Sequence, residues 1–135
     1  GGLTLGFHLL NENCRVIGMA VCDSDSYFEH KIKGDVASWQ SLYVPEHADI
    51  SSQLKITTID HYIGPGYAQG FPELFECIQW LAKTEGVILD PVYTGKAIYG
   101  LTQEIKKGTF NQMQDIVFMH TGGIFGLFPF GKEFT

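Results

Sequence analysis

Three short stretches put hydroxyl-bearing or aromatic side chains beside glycine. They are Gly64-Pro65-Gly66-Tyr67, Asp90-Pro91-Val92-Tyr93-Thr94-Gly95-Lys96 and His120-Thr121-Gly122-Gly123. Glycine at the end of a regular element lets backbone come close to a ligand. The same residues also serve plain structural ends. Tyr93 could be a core tyrosine whose hydroxyl is satisfied by backbone, Thr121 a cap on the element that follows, and Tyr67 an exposed loop aromatic. Ordinary turns account for most of the sixteen glycines. Residue type and spacing leave both readings open.

Other chemistries have less support. The run Asp23-Ser24-Asp25-Ser26 lacks the spaced ligands and closing glutamate of a calcium loop and reads as a helix cap. There is no CxxC or HExxH, and the five histidines are scattered, so no metal site is expected. Cys14, Cys22 and Cys77 are odd in number and lie in apolar settings, which reads as reduced core thiols and not a disulfide framework. Net charge is −6, Arg15 is the only arginine and the lysines are dispersed. Phosphate-binding surfaces cluster their basic residues, so nucleic acid is not an expected partner. No apolar run approaches the roughly 20 residues that cross a bilayer, so no membrane partner is expected either. The N-terminus has no basic region of a signal peptide. This points to the cytoplasm, with an organellar transit peptide further upstream left open.

At 135 residues, 44% of them hydrophobic and 18% charged, the chain suits a globular domain with a real core. Leu3, Leu5, Phe7, Leu9 and Leu10 predict a first helix ending at Asn11-Glu12-Asn13. Val16 to Cys22 reads as a buried parallel strand. A helix is predicted from about Tyr27, with Phe28, Ile32 and Val36 on one face and Gly34 weakening it. Tyr43 to Ser52 reads as loop, and Ile56 to Ile63 as a strand of alternating pattern. Glu73 to Thr84 carries the clearest helical face, Leu74, Cys77, Ile78 and Leu81, and Gly86 stops it. Between that helix and the next, Val87, Ile88 and Leu89 make the junction partly buried. Lys96 to Lys107 is predicted helical, with Thr94 as N-cap, with Ala97, Ile98, Leu101 and Ile105 inward, and with Gly108 ending it. Ile116 to His120 reads as a strand, Thr121-Gly122-Gly123 as a turn, and Ile124 onward as an apolar final element reaching Pro129. The order of elements fits α/β layering.

Three motifs in one order, GPGYAQGFPE (64–73), EGVILDPVYTGKAIYG (85–100) and IVFMHTGGIFGLFPF (116–130), resemble the C-terminal part of the D-cysteine desulfhydrase and 1-aminocyclopropane-1-carboxylate deaminase family. These are pyridoxal-phosphate enzymes of the tryptophan synthase β type. The resemblance implies an α/β fold, part of the three-layer αβα sheet of fold type II, and pyridoxal 5'-phosphate as cofactor. It implies that Tyr93 packs against the cofactor ring, that Thr121 approaches the pyridine nitrogen with Gly122 beside it, and that Tyr67 stands on the substrate side. The family's PGYG-x-P reads PGYAQGFPE here, which puts Tyr67 on an altered and slightly longer turn. The deaminase branch carries glutamate after the DPVY tyrosine, whereas this chain has Thr94. That departure favours D-cysteine as the small amino-acid substrate, giving pyruvate, sulfide and ammonia.

The same resemblance places the Schiff-base lysine, and the loop after it, upstream of residue 1. The phosphate loop belongs just before the first helix, where only Gly1-Gly2 stands. Lys96 follows Tyr93 by three residues, but it matches a family position other than the Schiff-base lysine, and it reads as a cap or a solvated side chain of its helix. Residues 1–135 are thus expected to be the C-terminal part of a pyridoxal-phosphate enzyme domain, incomplete at the N-terminus and homodimeric when intact. Alone it is expected to be inactive and to expose an apolar sheet edge. The competing reading is a truncated, non-catalytic module of the same fold.

Overall fold

The computed structural model describes residues 1–47 and 49–134 and divides into two compact units. The first comprises Gly1–Gly18 and Asp23–Ile59, the second Met19–Cys22 and Asp60–Thr135.

In the first unit, α1 (Gly2–Leu9) is followed by α2 (Asp25–Tyr43) and α3 (Ile50–Gln53). The acidic run does cap α2, since the Ser24 hydroxyl accepts from the amide of Tyr27 at 3.2 Å. Val36, Ile50 and Leu54 form the buried core, with Leu5, Ile32, Trp39 and Ile56 packed on it. The expected loop over 43–52 holds one turn of helix that the pattern did not announce, and Ala48 within it lies outside the described residues. The signal was Asp49, whose carboxylate accepts from the amide of Ser52 at 3.2 Å as an N-cap. The Gln40 side chain then fixes this segment. It accepts from the amide of Ile50 at 2.8 Å and donates to the His47 carbonyl at 3.0 Å.

The strands are shorter than expected. Only Gly18–Met19 (β1) and Thr58–Ile59 (β2) pair, as a two-stranded sheet in which the amide of Gly18 donates to the carbonyl of Thr57 at 2.9 Å, a parallel register. Ile116 to His120 forms no strand. Apolar, β-branched sequence supplies the propensity, but a strand exists only where a neighbour takes up its backbone groups. The described residues provide one such pairing.

The second unit rests on α4 (Pro72–Glu85) and α5 (Thr94–Lys106). Leu74, Ile78, Leu89 and Ile98 are its buried centre, ringed by Phe71, Cys77, Leu81, Tyr99, Leu101, Phe118 and Phe134. Pro72 opens α4, and Gly86 closes it at φ 69°, the left-handed position that glycine takes without penalty. Leu89 is the only buried residue of the Val87-Ile88-Leu89 run, and Ile105 is half exposed on α5 where an inward position was expected. Cys14, likewise expected in a core, is exposed, and Cys22 and Cys77 are partly buried; none of the three is in a disulfide. A 3-10 segment, Ile124–Phe134, continues through Pro129 and packs Phe130 and Phe134 against Phe75 of α4. No helix among the described residues is long and apolar enough to cross a membrane. Val117, Met119, Phe125 and Phe128 are exposed.

At the end of α5 the buried Glu104 carboxylate accepts from Tyr62 Oη at 2.5 Å, Thr109 Oγ1 at 2.6 Å and Lys107 Nζ at 3.0 Å. These bonds, Thr109's first, hold its pKa down from 4.5 to about 2. A group depressed by folding contributes stability above its unfolded value and loses it as pH falls through the folded one. Stability of this unit should therefore fall as pH drops from about 4.5 to 2. Thermal melts across that range should show the slope in the native chain, and Glu104→Gln should flatten it.

Candidate functional site

The start of α5 is organised by a residue the sequence reading did not single out. Asp90 is fully buried. Its Oδ1 accepts from the amides of Val92 at 2.8 Å and Tyr93 at 2.6 Å, and its Oδ2 from the amide and hydroxyl of Thr94 at 2.9 and 2.6 Å. Pro91 has no amide to offer, so the carboxylate reaches past it to the three that follow. Thr94, expected as the N-cap, is instead the first helical residue, buried with its hydroxyl turned back to Asp90. Tyr93 occupies the cap position without capping. The legible signal was Asp-Pro directly before a helical pattern. One chemical consequence is immediate. The positive end of α5 is already neutralised by Asp90, so it is not an open anion cup of the kind that binds phosphate.

Tyr93 is carried outward by this cap and remains half exposed. Tyr67, expected on the substrate side, meets it. The two hydroxyls are hydrogen-bonded and the rings stand edge to face, centroids 5.9 Å apart at 66°. The bond to Tyr67 holds the Tyr93 phenol above the usual tyrosine range, with burial adding to it. At neutral pH Tyr93 is a neutral hydroxyl and not a phenolate. The altered turn therefore leaves Tyr67 beside Tyr93. Gly64, at φ 71°, admits no side chain there, because a Cβ would lie 2.6 Å from the Phe71 ring.

The Thr121-Gly122-Gly123 turn packs on the same stretch. A Cβ on Gly123 would come within 3.0 Å of Asp90 Oδ2 and 3.8 Å of the Tyr93 ring, and both glycines are left-handed, at φ 94° and 83°. His120 anchors the turn. Its Nε2 hydrogen-bonds the Ile88 carbonyl at 2.9 Å, and its Nδ1 accepts from the amide of Gly122 at 3.1 Å. Those partners select the neutral ring with its proton on Nε2. Thr121 is exposed, and the space above Gly122 is open. Tyr67 thus meets Tyr93, whose amide Asp90 holds, and Gly123 packs on Asp90, all within one unit.

Lys96 departs from its expected role. It neither caps nor solvates α5, but is 1% exposed and donates from Nζ to the Gly66 carbonyl at 2.6 Å. Burial pushes its pKa down. Nothing in residue type separates such a lysine from a surface one; its position beside Tyr93 on a helix start was the available hint.

The model of a family described as pyridoxal-phosphate dependent enzyme matches residues 1–122. The chain is 38% identical over 132 residues to a putative 1-aminocyclopropane-1-carboxylate deaminase of Pyrococcus furiosus, covering 98% of this chain and 38% of that protein. It is 38% identical over 128 residues to the mitochondrial bifunctional D-cysteine desulfhydrase/1-aminocyclopropane-1-carboxylate deaminase of Arabidopsis thaliana, covering 94% of this chain and 30% of that one. A crystal structure of an ACC deaminase homologue superposes with a TM-score of 0.79 at 33% identity, over 98% of this chain and 38% of the other. The chain spans about two-fifths or less of the length of the relatives it matches. The expected fold class, a partial α/β structure of fold type II with a small parallel sheet, holds.

Proposed function

This chain belongs to the family of pyridoxal-phosphate dependent enzymes, and from that premise we propose that it forms the C-terminal part of an enzyme that deaminates a small amino acid. The favoured substrate is D-cysteine: with one water it gives pyruvate, hydrogen sulfide and ammonia. The observation that carries the reading is the meeting of Tyr67 with Tyr93 beside the 121–123 turn.

The residues present fit one part of the cofactor. An exposed tyrosine ring, open space above Gly122 and an exposed threonine hydroxyl suit a flat heteroaromatic ring. Tyr93 and Gly122 would hold the ring, and Thr121 would face its nitrogen. When bound, the cofactor supplies an electron sink for the pair left by removal of the α-proton. A hydroxyl partner such as Thr121 leaves the ring nitrogen less protonated than a carboxylate would, and so moderates that sink. Tyr67, on the substrate side, is a hydrogen-bonding hydroxyl held in place by Tyr93. Asp90 and His120 touch neither ligand in this reading; they orient Tyr93 and the glycine turn. The lysine that carries the cofactor and the phosphate loop are assigned to an upstream part of the full polypeptide, and the isolated 135-residue chain is taken to be inactive.

Thr94 supports D-cysteine over the cyclopropane substrate, since it adds no carboxylate beside Tyr93 and its hydroxyl is committed to Asp90. The names of the relatives favour 1-aminocyclopropane-1-carboxylate as the second substrate. Resemblance to the family supports a homodimer. The plant relative's name places that protein in mitochondria. The test is a product assay on the full-length gene product with pyridoxal phosphate. D-Cysteine should give pyruvate and sulfide in equal amounts, at well above the rate at which 1-aminocyclopropane-1-carboxylate gives 2-oxobutyrate. Faster 2-oxobutyrate formation would transfer the reading to the deaminase, and absence of both keto acids would end it.

A further inference from the structure

Lys96 is the largest fully buried side chain among the described residues. A buried ammonium is costly unless something offsets its lost hydration. Among the described residues no carboxylate pairs with it, and its hydrogen-bond partner is the Gly66 carbonyl. That carbonyl is a junction, because it also accepts from the amide of Gln69 at 3.2 Å to close the turn. Tyr67 is the next residue. Lys96 stands three positions after Tyr93, on the same side of the helix start. Two neighbouring residues of the turn, Gly66 and Tyr67, are thus tied to the start of α5, through Lys96 in its first turn and Tyr93 at its cap position.

We propose that Lys96 is a positioning residue that clamps the 64–70 turn to the start of α5 and thereby sets Tyr67 against Tyr93. Its value for substrate recognition rests on the functional reading above, while the clamp itself does not. The ammonium strengthens the bond to the carbonyl beyond a neutral donor's reach, and burial excludes water that would compete for that carbonyl. The tether explains why a fold would retain a charge in so dry a place: the turn has few apolar contacts of its own, with Pro65, Tyr67, Ala68 and Gln69 all exposed. It also shows how the altered PGYAQG turn keeps its tyrosine in register.

The experiment is amide hydrogen exchange on the full-length polypeptide that carries this sequence, comparing native protein with Lys96→Met, which keeps the length of the side chain and removes the donor. Exchange across 66–70 should accelerate about tenfold, the loss expected for one bond to a charged donor. Protection at Leu74, Ile78 and Ile98 should be unchanged. In the same variant the Tyr93 phenol, followed by 13C-labelled Cζ resonances, should titrate closer to the usual tyrosine range, because Tyr67 no longer holds it. Lys96→Gln, with a donor on a shorter arm, should give an intermediate change, and it carries the comparison if the methionine variant does not fold. Unchanged exchange at 66–70 would overturn the clamp. So would equal acceleration through α4 and α5, which would make Lys96 a core filler. Neither readout needs the cofactor, so failure of the product assay with success here would remove the enzyme and leave the clamp standing.

Discussion

Replacing Asp90 with alanine should destabilise the second unit by about 3–5 kcal/mol, the largest effect expected of any single substitution in the chain. Four donors converge on that carboxylate: the amides of Val92, Tyr93 and Thr94 and the Thr94 hydroxyl. All belong to a stretch with Pro91 and Thr94 almost fully buried, so water cannot replace the lost acceptor freely. An ordinary N-cap loss costs about 1 kcal/mol. The excess here comes from the number of donors left unpaired and from the void against Gly123 and Gly126, which pack on the Asp90 side chain. Asp90→Asn separates the two contributions. It fills the same space but turns one acceptor oxygen into a donor facing donors, so it should cost about 2 kcal/mol. Urea unfolding of both variants measures this, and exchange at residues 93–97 should report where the loss falls. Equal stability of the native chain and the alanine variant would show that α5 starts without its cap.

The helices were legible because their physics is local. Pro72 and Gly86 bracket α4, the 3.6-residue spacing of Leu74, Ile78 and Leu81 marks its buried face, and Ser24 announces α2. The strands were legible only as propensity. Val16 to Cys22 and Ile56 to Ile63 have strand composition, but just two residues of each are paired. Pairing depends on a neighbour, which the stretch itself does not specify. Tyr67, Tyr93 and Thr121-Gly122 were singled out by resemblance to a family and not by pattern. The meeting of Tyr67 with Tyr93 is a tertiary fact. Asp90 and Lys96 show the limit most clearly. Both are polar residues of a glycine-rich junction, and both are buried because the backbone offers each of them partners: amides for the carboxylate, a carbonyl for the ammonium. Sequence carries the partners' identities but not their approach.

The central claim is that the Tyr93 face and the 121–123 turn receive the cofactor ring. A half-exposed tyrosine carried on a capped helix start contributes ring contact more than hydrogen bonding, so removing the ring and removing the hydroxyl should differ sharply. Loss of an aromatic contact face corresponds to about 1–2 kcal/mol, or roughly tenfold in affinity. Because Tyr93 is not part of the buried core, its truncation should leave the fold largely intact. The measurement is a titration of pyridoxal phosphate into the full-length polypeptide that carries this sequence, followed by visible absorption, for the native protein, Tyr93→Phe and Tyr93→Ala. The predicted result is near-native affinity for the phenylalanine variant and about tenfold weaker binding for the alanine variant. Native affinity in Tyr93→Ala, with the fold preserved, would contradict the account.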